Sequence, residues 1–276
     1  MKDNGCIGRR IKEISAALPE GVTLIAVSKY HPAEAIEAAY SAGQRDFGES
    51  KAQDLVKKHE ELPKDIKWHF IGHLQSNKIK YIAPFVHLIH SIDSYRLLQE
   101  VDRHGAKAGR RIPCLLQIHI ACEETKFGLT PEECLQLLDA GEWRSLQNIE
   151  IRGLMCMASN TDVKEQIERE FAAVHSLFNE IKERFFKDNG SFDILSAGMS
   201  DDYPIAIKHG STHIRIGSSK FQAKQKPGKF QPSVMLEKYT STVFPYKALL
   251  NISEEILLVH LPYRNIDIIV IHYTHA

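Results

Sequence analysis

The chain has 276 residues, 43% of them hydrophobic and 25% charged, which is enough to bury a full core and matches the size of one barrel domain or two small ones. Thirty-five basic residues balance thirty-five acidic ones and no basic patch stands out, which argues against a nucleic-acid or anionic-membrane partner. The polar start Met1 to Arg10 lacks the apolar run of a secretory signal, and no uncharged apolar stretch reaches the ~18 residues of a membrane span, so the expected state is soluble and cytoplasmic. Five scattered cysteines, Cys6, Cys114, Cys122, Cys134 and Cys156, never form a C-x-x-C pair, which predicts reduced, mostly buried thiols rather than disulfides or a zinc site.

In chain order, the apolar stripe Ile7, Ile11, Ile14 and Leu18 predicts a helix that plugs the N-terminal mouth of whatever follows. From Thr23 to Gly217, short β-branched runs alternate with segments of helical period, the pattern of βα units around a parallel sheet. The strands read as Thr23–Lys29, Asp46–Glu49, Trp68–Gly72, Val86–Ile92, Cys114–Ile120, Ile149–Met157, Ile194–Met199 and His213–Gly217. Eight such strands, with no G-x-G-x-x-G after the first, predict a closed (β/α)8 TIM barrel of the α/β class rather than an open doubly wound sheet. Pro32 falls in the first turn of one helix, and Thr130-Pro131-Glu132-Glu133 reads as a capping box with proline at its first helical position. After Asn160, the stripe Val163, Ile167, Phe171, Val174, Phe178, Ile181 and Phe185 predicts a helix facing the sheet, with Lys164, Glu168 and Glu183 toward water. The barrel domain is expected over 1–222. The segment 223–276 forms an atypical C-terminal tail, opening with a Lys-, Gln-, Gly- and Pro-rich linker and continuing with apolar runs of no helical period.

Reactive groups of a closed barrel sit at the C-terminal ends of strands and in the loops beyond them. Lys29 ends the apolar run Leu24 to Ser28; an ammonium held over an apolar mouth releases its proton more readily, which suits a Schiff-base lysine, whereas a lysine snorkelling to water is the plain alternative. Ser50 after Phe47-Gly48-Glu49, and His69 in the third strand, are candidate pocket residues. No carboxylate lies at an obvious spacing from His69, so a hydrogen-bonded wall histidine is its plain reading, and Gln75 and Asn77 read as a helix start. The loops Gly198-Met199-Ser200 and Gly217-Ser218 have the composition of a phosphate cradle after strands seven and eight. Arg215 carries a permanent positive charge and can only donate; against a pyridine nitrogen it would keep that nitrogen unprotonated and weaken the electron sink, while its structural alternative is a pair with Asp201 or Asp202.

With these residues in place, the chain resembles the pyridoxal phosphate homeostasis protein family, single barrels similar to the N-terminal domain of alanine racemase (PLP fold type III). The resemblance runs from about Ile7 to Phe221. It is carried by A-V-S-K ending at Lys29, F-G-E of Phe47 to Glu49, H-x-I-G-x-L-Q-x-N-K of His69 to Lys78, G-L-M of Gly153 to Met155, G-M-S-x-D of Gly198 to Asp202 and R-I-G-S of Arg215 to Ser218. It implies pyridoxal 5'-phosphate (PLP) held as a Schiff base on Lys29, phosphate ligands Ser200, Gly217 and Ser218, Met199 beside the cofactor and Arg215 at the ring nitrogen. It also implies a role in vitamin B6 homeostasis, as a monomeric buffer or carrier that serves PLP-dependent apo-enzymes and has no established turnover. Ser50 departs from the family's asparagine, Lys220 and Gln222 depart around Phe221, and nothing in the resemblance covers Ala223 to Ala276. The alternative is a PLP-dependent amino-acid racemase, which needs a second base from an added domain that this tail is too short to supply unaided. A barrel using Lys29 as an aldolase-type amine is a third reading, and it predicts no coloured cofactor.

Overall fold

In the computed structural model, residues 4–120, 127–188, 190–217, 252–253, 256–259 and 269–272 are described. The β-branched runs pair as eight parallel strands, β1 (Thr23–Val27), β2 (Asp46–Glu49), β3 (Lys67–Phe70), β4 (Leu88–Ile92), β5 (Ile112–Ile118), β6 (Ile149–Cys156), β7 (Ile194–Ser196) and β8 (His213–Gly217). They close in sequence order, and β8 returns to β1 with Thr23 opposite His213 and Val27 opposite Gly217. The α/β barrel is therefore as the alternation predicted. Six strands begin or end one to three residues away from the sequence reading, and the overrun is mostly at C-terminal ends. There the apolar composition continues into the loops that carry chemistry, as at Ser28 to Lys29 and Ala197 to Met199.

Strand alternation sorts the core into two layers. Leu24, Ala26, Phe47, Trp68 and Phe70 lie in the layer between strands and helices, while Leu88, Leu115, Met155 and Ile194 form a separate apolar cluster inside the barrel. The helices supply the outer layer: α1 (Asn4–Ala17), α2 (Ala33–Ser41), α3 (Ala52–Glu61), α4 (Ser76–Ile82), α5 (Tyr95–Ala108), α6 (Pro131–Ala140), α7 (Lys164–Phe185) and α8 (Tyr203–Lys208). In α7, Ile167, Phe171, Val174, Phe178 and Ile181 are buried, each such burial stabilising by roughly 1.5–3 kcal/mol. Val163 is instead the N-cap and stands exposed. The capping box of α6 forms as read: Glu133 N–H donates to Thr130 Oγ1 at 3.1 Å, and Thr130 N–H donates to Glu133 Oε2 at 2.8 Å. Pro32 proves to be the N-cap of α2, one position ahead of the expected first turn.

One expectation is corrected. The first helix does not plug the barrel mouth: α1 packs on α2, with Gly8 so near that a Cβ there would lie 3.3 Å from Ala42 Cβ. Its stripe serves the outer layer, because a helix joined to α2's strand by a short loop reaches the barrel's flank before its end. Contacts divide the chain into Met1–Lys224 and Gln225–Ala276. Within the second unit, Ile252–Ser253, Ile256–Val259 and Ile269–His272 form a three-stranded antiparallel sheet, β9 to β11, with Leu257 opposite Ile271. The expected linker Ala223 to Pro232 lies outside the described residues. Among the described residues, no helix is long and apolar enough to cross a membrane.

Candidate functional site

Strand order brings the two ends of the barrel sequence together. Gly217 ends β8 directly opposite Val27 of β1, and Lys29 follows Val27 by two residues. Lys29 is exposed, which corrects the expectation of an ammonium pressed against an apolar mouth. The strand ends before it: Ser28 N–H donates to Gly48 O at 3.0 Å, and the chain then turns through Tyr30 at φ 66°, a left-handed conformation uncommon for a residue with a Cβ. Tyr30 is 78% exposed, so the turn lifts Lys29 clear of the wall.

The loops after β7 and β8 meet. Gly217 N–H donates to Ser200 Oγ at 3.1 Å. Among the described residues, a Cβ at Gly217 would meet nothing nearer than Ser200 Oγ at 3.7 Å. Gly198 is required by shape: its φ is +91°, and a Cβ would fall 2.7 Å from Ala206 Cβ. Asp202 is buried, and its Oδ1 accepts from Met199 N–H, which folds the Gly198 to Asp202 turn upon itself. Met199 is 39% exposed at the rim. Ser218 lies outside the described residues.

Arg215 is buried and points inward, opposite Ile25. Nη1 donates to Ser196 O at 2.9 Å and Ser196 Oγ at 2.6 Å, and Nη2 donates to Cys156 O at 2.8 Å. These bonds take the place of the alternative pairing with Asp201 or Asp202, because the inward face of β8 looks across the barrel at β6 and β7. Three of the five guanidinium N–H groups are thus used among the described residues.

His69 is fully buried, and it has the carboxylate partner that the sequence spacing hid: Nε2 lies 3.1 Å from Asp46 Oδ1. The β2–β3 register sets Gly48 beside His69 and so puts Asp46, two residues earlier on the same face, within reach. His69 Nδ1 lies 3.0 Å from His90 Nε2, and His90 Nδ1 lies 3.0 Å from Ser196 Oγ, which receives Arg215. With neutral rings one set of protons completes this line: Arg215 donates to Ser196, Ser196 to His90, His90 to His69 and His69 to Asp46. Burial, then the neighbouring His69, holds His90 well below the usual imidazole range. Burial works to raise Asp46, but the hydrogen bond and charge of His69 bring it below the usual carboxylate range. His69 belongs to this internal line, and Ser50 is half-buried at the rim, its carbonyl against Gly72, where a Cβ would fall 2.2 Å away.

A second cluster escaped sequence reading. Glu49 is fully buried, and its Oε1 accepts from Ser28 Oγ–H and from Lys58 Nζ, both at 2.6 Å; Lys58 also donates to Ser28 O at 2.9 Å. No spacing signal joins Glu49 to Lys58, because the contact spans a strand and a helix. A cleft of about 500 Å³ between the loops after β3 and β4, lined by His73, Gln75, Asn77, Asp93 and Arg96, does not include Lys29, Ser200 or Gly217.

Comparison with known proteins places these features. The alanine racemase N-terminal domain family matches residues 3–225. The pyridoxal phosphate homeostasis protein of Helicobacter pylori is 40% identical over 205 residues, covering 73% of this chain and 87% of its own length. That of Pseudomonas aeruginosa is 36% identical over 222 residues, covering 79% and 93%. PipY of Synechococcus elongatus, 36% identical and solved without PLP, superposes with a TM-score of 0.73 over 78% of this chain and 99% of its own. The same protein has been solved with PLP bound, at a TM-score of 0.69. Alanine racemase of Clostridium difficile, 13% identical with a TM-score of 0.66 over 83% of this chain and 59% of its own, shares the fold.

Proposed function

This chain belongs to the family of pyridoxal phosphate homeostasis proteins, and on that footing we propose that it binds PLP at the C-terminal mouth of its barrel and acts as an intracellular buffer or carrier of the cofactor. The observation that carries the reading is the meeting of Gly217 N–H and Ser200 Oγ on the strand end that adjoins the Lys29 turn. Ser200 Oγ accepts from Gly217 N–H and keeps its own hydroxyl hydrogen to donate, which beside a glycine suits a phosphate, and an exposed primary amine one strand away suits an aldehyde.

In this reading Ser200, Gly217 and Ser218 hold the phosphate, Met199 covers one side, and Lys29 supplies the amine that captures the aldehyde. When bound, PLP supplies an electrophilic aldehyde and, if its pyridine nitrogen is protonated, an electron sink. Among the described residues, Arg215 has two N–H groups beyond those used on Ser196 and Cys156, and it cannot give up its proton at ordinary pH. Facing a pyridine nitrogen, it donates and leaves that nitrogen unprotonated, which supports holding and release over turnover. The barrel domain is assigned to 1–222, the working unit to a monomer, and the recipients to PLP-dependent apo-enzymes.

The test is the absorption spectrum of the full chain supplied with PLP, for wild type and Lys29→Ala, before and after borohydride. A visible band that borohydride fixes in wild type and that Lys29→Ala lacks is the expected result, together with no racemisation of free amino acids. Absence of the band in wild type overturns the cofactor assignment; racemisation that depends on Lys29 overturns the buffer in favour of an enzyme.

A further inference from the structure

The opposite end of the barrel holds a group of ligand atoms that PLP chemistry does not use. Asp46 is the first residue of β2, His69 the third of β3, and His87 lies immediately before β4, so all three belong to the N-terminal mouth, away from the Lys29 end. One donor atom of each lies within 4.8 Å of the other two, and Asp46 Oδ1 stands 3.1 Å from His69 Nε2. A tetrahedral ion with bonds of about 2.0–2.2 Å to nitrogen and oxygen separates its donors by about 3.3 Å. The Asp46–His69 pair is already at that spacing. His87 is exposed and can swing its ring by the remaining distance, at most about 1.5 Å.

We infer that Asp46, His69 and His87 form a binding site for a divalent transition ion of the zinc class, with the fourth position open to solvent. Two imidazoles and one carboxylate suit zinc, cobalt(II) or nickel(II) better than calcium or magnesium, which prefer all-oxygen ligands. A histidine that ligates through one ring nitrogen ordinarily donates its other N–H to a fixed acceptor, and that acceptor is present. With an ion on Nε2, the His69 proton moves to Nδ1 and is donated to His90 Nε2, 3.0 Å away. His90 then donates from Nδ1 to Ser196 Oγ, which accepts from His90 and Arg215 together. The internal line therefore accommodates the ion by a tautomer change at both imidazoles and a rotation of the Ser196 hydroxyl hydrogen away from His90, with no heavy atom displaced. Lys67 and His213 stand at the same mouth without completing the site: Lys67 is a cation, and His213 is not among the residues whose donor atoms lie within 4.8 Å of one another. No proton is gained or lost on binding: the His69 proton passes from Nε2 to Nδ1, and the His90 proton likewise passes from Nε2 to Nδ1.

The test is zinc titration of the full-length chain, free of PLP, in competition with a chromophoric chelator. Wild type, His87→Ala and Asp46→Asn are compared, with urea unfolding midpoints as the check on folding. One equivalent of zinc is expected to bind wild type, and each substitution is expected to weaken it by more than about tenfold. Cobalt(II) supplied in place of zinc is expected to show ligand-field bands without a thiolate charge-transfer band, which separates this site from the cysteines. No stoichiometric zinc in wild type, equal affinity in His87→Ala, or a thiolate band each overturns the site. Should Asp46→Asn fail to fold, the exposed His87 variant decides by itself. PLP plays no part in this measurement, so its failure leaves the cofactor reading standing.

Discussion

Lys58→Met is the perturbation with the largest effect that the structure allows to be worked out. The substitution keeps the length of the stem and removes only the ammonium, leaving Glu49, which is 0% exposed, with the single hydrogen bond from Ser28 and no counter-charge. Breaking one side of a buried ion pair costs about 3–5 kcal/mol, roughly two to three and a half powers of ten in the folded-to-unfolded ratio. The assay is equilibrium urea unfolding followed by tryptophan fluorescence, for which the fully buried Trp68 is the reporter. Lys58→Met combined with Glu49→Met is the companion. It removes both charges and leaves Ser28 Oγ with the Gly48 carbonyl at 3.3 Å, so most of the lost stability is expected to return. A single variant within about 1 kcal/mol of wild type, or a double variant no better than the single, would refute the reasoning and show that the cluster is solvated.

Gly153→Ala places a Cβ 1.8 Å from Ile194 O at φ +150°, and is expected to cost more than about 3 kcal/mol or to prevent folding. Gly21→Ala, at φ +83° with nothing within 4 Å, should cost only about 1–2 kcal/mol; equal urea midpoints for the two would contradict this. Burial pushes the thiols of Cys134 and Cys156 up to about 12 and raises Cys114 as well. A thiol reagent near pH 8 is therefore expected to spare these three in the native chain and to label them in urea, as read by mass spectrometry of the peptides. Ser200→Ala removes one phosphate donor and is expected to weaken PLP binding by about 1.5–3 kcal/mol. The band fixed by borohydride on Lys29 should survive at saturating cofactor, and unchanged affinity in equilibrium dialysis would place the phosphate elsewhere.

The sequence by itself determined the architecture. Alternation of β-branched runs and helical stripes is a local property, and it counted the eight strands that close, though it ran past the C-terminal ends of five of them. The Thr130 cap was legible for the same reason, since its partner is three residues away. Gly198 and Gly217 could be picked out because loop glycines at strand ends have few other uses. Whatever depended on barrel closure or on packing between layers stayed hidden. His69 finds Asp46 across a strand register, Glu49 finds Lys58 across a strand-to-helix interface, and Arg215 crosses the barrel to Ser196 and Cys156 rather than meeting the neighbouring aspartates. The path of α1 along α2 was equally closed to a reading of its stripe, because an apolar face announces that it will be covered and not by what. Periodicity fixes which way a side chain points; only the closed sheet decides what stands opposite it.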